Sequence, residues 1–173
     1  MIAYAECMSV AAADWEKQVS ELWAGMDSYS EDDFLRRVDA LVAELSPGSA
    51  IGLFERGAAF DSTGHPDRAV PLYAAALDAG LVGERRRRAV IQMASSLRNL
   101  GQPQDALTLL TAEADATSDD LDGAVATFLA LALADLGRER EAVAVALTAL
   151  STYLPRYNRS VARYAQQLTD KIP

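Results

Sequence analysis

A single cysteine and a single histidine among 173 residues exclude most site chemistry before any pattern is sought. One thiol cannot close a disulfide within the chain, and the pair cannot build a zinc cluster of Cys and His ligands. Cys7 reads as an incidental free thiol. Long apolar runs are also missing: Phe128 to Ala134 is among the longest and falls far short of a membrane span. Residues 1–13 lack the positively charged start of a secretion signal, so the sequence points to a soluble cytoplasmic protein, and Met8 competes with Met1 as the native start. A basic excess is absent too. The net charge is −9, and residues 1–83 hold 14 acids against 5 bases while 84–173 hold 11 of each. The whole surplus is therefore acidic and confined to the first half, which repels phosphate backbones and argues against nucleic acid.

What the chain has is apolar content, 50% of its residues against 24% charged, enough for a core and too much for disorder. Alanine and leucine dominate and no stretch alternates with period two, so the expected class is all-α. Glycine marks a repeat. Gly64-His65-Pro66-Asp67-Arg68-Ala69, Gly101-Gln102-Pro103-Gln104-Asp105-Ala106 and Gly137-Arg138-Glu139-Arg140-Glu141-Ala142 recur at steps of 37 and 36 residues, taken as 101 − 64 and 137 − 101. Such a period signals stacked helix pairs, each needing a neighbour to cover its apolar face.

Two helices precede the repeats. Trp15, Val19, Leu22, Trp23 and Met26 form one stripe, and Phe34, Val38, Leu41, Val42 and Leu45 another, begun by Ser30 with Asp33 in a capping pattern. The expected layout is a flexible 1–13, a capping helix pair over 14–46, repeats over 50–86, 87–122 and 123–154, and a capping helix over 155–173 opened by Pro155 and running to Ile172. That makes about nine helices.

Leu53, Gly57, Phe60, Gly64, Ala69, Tyr73 and Ala76 alternate large and small residues so that two helices approach closely. This pattern resembles the tetratricopeptide repeat. The second unit matches with Val90, Ala94, Leu97, Gly101 and Ala106, has Leu110 for an aromatic, and departs at Glu113. The third keeps Ala126, Ala130, Leu133, Gly137, Ala142, Ala146 and Ala149 but neither aromatic. The resemblance implies a right-handed α-solenoid whose first helices line a concave groove for a peptide or protein partner. Transferred to this sequence, the groove positions are Ile51, Phe54, Ala58 and Asp61; then Arg88, Ile91, Ser95, Arg98 and Asn99; then Ala124, Thr127, Leu131 and Ala134.

Within that set Arg88 and Arg98, with Gln92, Ser95 and Asn99 between and beside them, form a polar strip suited to a carboxylate or a peptide backbone, and Phe54 offers an apolar contact. The Arg85 to Arg88 run reads equally as a face paired with acids of the preceding unit. Arg156, Asn158, Arg159 and Arg163 form a possible second contact, with the arginines on one helical face. Catalysis is not expected: His65 lies in a turn, Asp119 and Asp120 read as helix caps, and no phosphate loop or nucleophile motif occurs. No cofactor or metal is implied. The expected function is a non-catalytic adaptor; the alternatives are a self-associating homodimer whose groove its own segments fill, or an enzyme with a polar pocket.

Overall fold

The computed structural model describes residues 2–116 and 118–170, with side chains from residue 12 onward. The Cys7 and Met8 side chains and Ile172 lie outside the described set. Among the described residues there are nine α-helices and no strand. They fall into two compact units, Met1–Leu81 and Val82–Pro173.

Unit 1 contains α1 (Ile2–Ala24), a short 3-10 turn (Met26–Ser28), α2 (Glu31–Val42), α3 (Ala50–Ser62) and α4 (Pro66–Asp78). Helix α1 therefore takes in residues that the sequence reading placed before the first element. Consecutive helices pack on one another. Ser30 accepts from the Asp33 amide at 3.3 Å and starts α2, as the capping pattern requires. The core of this pair is aromatic: Trp23 meets Phe34 edge-on at 5.1 Å, and the Trp15 indole N–H donates to the Leu41 carbonyl at 2.8 Å. The Trp23 indole donates to the buried carboxylate of Glu55 on α3 at 2.9 Å, so an acid in the core has a donor. In the first repeat Phe54 and Tyr73 are fully buried, with ring centroids 6.1 Å apart.

Unit 2 contains α5 (Gly83–Asn99), α6 (Pro103–Ala116), α7 (Asp122–Asp135), α8 (Glu139–Tyr153) and α9 (Asn158–Thr169). Each packs on the next, and α7 also lies against α5. The repeating glycine has one local cause. Gly64, Gly101 and Gly137 have φ of 85°, 76° and 72°, and the residue after each donates back across the turn: His65 to Phe60 at 2.8 Å, Gln102 to Leu97 and Arg138 to Leu133 at 2.9 Å. Left-handed backbone at that point closes each helix by satisfying a carbonyl of its last turn, and only glycine takes it without strain.

Pro155 does not open the last helix. Leu154 before it is extended, as the proline ring demands of its neighbour, so α8 stops there and α9 starts three residues after the proline. Tyr157 turns the corner with φ 68°, a value that strains a residue bearing a side chain.

Candidate interaction surface

The arginine run at the start of α5 forms an electrostatic hub centred on buried Arg87. Arg86 donates to both oxygens of Glu113 on α6, at 2.6 and 2.7 Å. Arg87 is almost wholly buried and reaches three acids: Glu113 at 3.5 Å, Asp119 at 3.0 Å and Asp122 at 2.5 Å. Glu113 comes from α6, Asp119 from the α6–α7 connection and Asp122 from the first turn of α7. Arg88 lies 3.9 Å from Glu84 one turn earlier on the same helix. The loop closes on itself as well. Ser118 Oγ donates to Asp122, Asp122 accepts from the Asp119 amide, and Asp119 accepts from the Leu121 amide. The Ser118 hydroxyl, then the Asp119 amide, then the Arg87 charge hold the Asp122 carboxyl below its ordinary range.

Sequence reasoning missed this hub, although a signal was present. Glu113 is the position where the second repeat breaks the small-residue pattern, and the Arg85 to Arg88 run opens the helix that pairs with it. An acid at an expected core position and a run of cations in the same hairpin point to each other.

Of the expected groove residues, Phe54 is in the core against Tyr73 and presents no face to a partner; Ala58 and Ile91 are buried too. Arg98 is not an open anion site, because its Nε donates to Asp135 at 2.6 Å. That bond ties α5 to α7 in successive repeats. By the 36-residue step between Gly101 and Gly137, Ser95 corresponds to Leu131 and Arg88 to Ala124. Ser95 and Arg88 are half-buried, Asn99 and Thr127 exposed. Gln92 Oε1 is buried and accepts no hydrogen bond from a described residue. The structure brings Arg88, Gln92, Ser95, Asn99 and Thr127 onto two adjacent helices and leaves Phe54 out.

The C-terminal set does not form one helical face. Arg156 precedes α9, Asn158 is its first residue and accepts from the adjacent Arg159 amide at 2.8 Å, and Arg163 lies 5.2 Å over the ring of Tyr164. His65 Nε2 is 2.5 Å from Glu31, a contact within unit 1. No group of three or more metal-ligating side chains occurs among the described residues. No described helix is long and apolar enough to cross a membrane.

Two concavities flank α7. One, of about 900 Å³, lies between α7, α8 and α9 with Arg87 and Asp122 at its mouth. The other, of about 730 Å³, runs along α7 and α8 between Thr127, Leu131, Val143 and Leu150. Tyr153 borders both, its hydroxyl lying over Gly123 where a Cβ would come within 2.5 Å. All four transferred groove positions of the third repeat, Ala124, Thr127, Leu131 and Ala134, line the second of these.

No curated protein and no solved structure matches the chain. A family model does, that of the tetratrico peptide repeat, over residues 50–168. The match spans α3 to α9, the glycine-closed hairpins included, and with it the chain belongs to the tetratricopeptide repeat family.

Proposed function

We propose that this protein is a non-catalytic scaffold that binds a protein or peptide partner on the surface formed by α5 and α7. The family as a whole serves protein interaction and is generally non-catalytic. The observation that carries the location is the Arg98–Asp135 bond, which fastens α5 to α7 where the two helices pack. Gln92, Ser95, Asn99 and Thr127 then offer donors and acceptors along one strip, the pattern that reads an extended backbone. Arg88 is the cation of the strip; Arg98 serves as its fastening.

The test is affinity capture with the full chain, comparing the wild type with Ser95→Arg plus Asn99→Arg, neither of which lines the α7–α8 groove. Both side chains reach solvent, so helix content should be unchanged. Proteins retained by the wild type and lost by the variant support the assignment. Retention that is indifferent to the substitutions overturns it.

A further inference from the structure

Helices α6 and α8 return in successive hairpins, 36 residues apart by their glycines, so Leu107 corresponds to Val143 and Leu110 to Ala146. Their surroundings differ. On α6, where α5 and α7 both pack, Leu107 is 9% exposed and Leu110 0%. On α8, Val143 is 48% exposed, Leu150 is 49%, and Ala146 is exposed as well. Helix α9 does pack on α8, but against its other side. Ala144 is buried, and Val145 and Thr148 face the cavity that α9 closes. The corresponding positions on α6, Thr108 and Ala112, are exposed. The last helix therefore covers the side that is solvated one repeat earlier. It leaves bare the side onto which a following helix would stack.

We propose that a second copy of this chain covers the α7–α8 groove, the two helix pairs closing into a four-helix bundle. No charged side chain lines the groove, so nothing there selects a foreign partner by charge. Its walls set large residues beside small ones, Leu131 near Ala134 and Val143 and Leu150 about Ala146, which lets the surface fit itself. A two-fold axis passing between Ala146 and Leu147 lays Val143 on the second copy's Leu150 and repeats the contact in reverse. The same axis carries Glu139, in the first turn of α8, towards the second copy's Arg156 just past its last turn. Opposite charges then meet at both ends of an apolar seam, which fixes the antiparallel register.

Sedimentation of the full chain over about 1 to 300 µM, a range that brackets ordinary homodimer affinities, reads the proposal directly. A monomer–dimer equilibrium is expected. Val143→Glu with Leu150→Glu should lower the association constant roughly a hundredfold or more, with the circular dichroism of the monomer unchanged, because both side chains already reach solvent. Glu139→Arg should weaken the dimer, and adding Arg156→Glu should restore it. A chain that stays monomeric throughout overturns the proposal, as does a dimer indifferent to the Val143 and Leu150 changes. A charge pair that fails to rescue overturns the antiparallel register. The readout uses this chain alone and turns on Val143 and Leu150, so it stands or falls separately from binding at Ser95 and Asn99.

Discussion

Unit 1 and unit 2 build the same kind of helix pair from different materials. Unit 1 carries the whole charge surplus, 5 − 14 = −9, and unit 2 none, 11 − 11 = 0. Inside, unit 1 is filled by rings. Trp23, Phe34, Phe54 and Tyr73 occupy the spaces between its helices, and Gly57 yields room for Tyr73. Unit 2 has alanine at the equivalent points of its last hairpin, and its two cavities lie there, one on each side of α7. Small residues allow close approach only when a large neighbour fills the remaining volume; without one they leave a hollow. Unit 2 is held at its start by charges instead, through Arg87 and its three acids. One unit is closed by volume, the other fastened by ion pairs and open beyond them.

The largest effect that sharpens this contrast is expected at Phe54. Phe54→Ala removes a fully buried ring and should cost about 4 kcal/mol in denaturant unfolding, while Leu150→Ala, on the open side of α8, should cost roughly 0.5 kcal/mol or less. Equal losses would break the distinction between a closed and an open hairpin. Next comes Arg87→Met, which keeps the apolar bulk and removes the charge. It should cost about 3 kcal/mol, since Glu113 stays buried with Arg86 as its remaining partner in the hub. A loss below about 1 kcal/mol would mean that the hub is no fastening.

Glycine substitutions divide the units at smaller scale. A Cβ at Gly57 would lie 3.0 Å from two ring carbons of buried Tyr73, so Gly57→Ala should destabilise by roughly 1–3 kcal/mol. At Gly123 the obstacle is the hydroxyl end of exposed Tyr153, which can swing away, and Gly123→Ala should lie within about 0.5 kcal/mol of the wild type. The smallest effect belongs to acid. Asp122 is held below its ordinary value in the folded chain, so its contribution is complete above the unfolded carboxylate range and disappears only as pH falls through the lower, folded value, below about pH 4. The stability gap between wild type and Asp122→Asn should narrow from pH 7 to pH 3; a gap that persists would assign the residue's role to something other than its charge.

Much of the scaffold was legible because its causes are local. A left-handed turn asks for glycine, so Gly64, Gly101 and Gly137 announce the hairpins wherever the rest of the chain goes. The Ser30 cap and the Trp15–Val19–Leu22 stripe are likewise properties of a few successive residues. The surface was less legible because exposure is not local. Phe54 and Thr127 hold comparable groove positions in the repeat pattern, and one is in the core while the other reaches solvent. Arg98 looked like an open cation until Asp135, a whole repeat away, proved to be its partner.

The sequence by itself determined that the chain is built of about nine helices and where glycine closes its hairpins, since periodicity, caps and glycine turns act within a few residues. Only the tertiary structure decided which arginines are consumed inside and which side of α8 the last helix takes. Those outcomes depend on what arrives from 27 to 37 residues away, as Glu113 and Asp135 do, and on an extended Leu154 that Pro155 turns out of the helix.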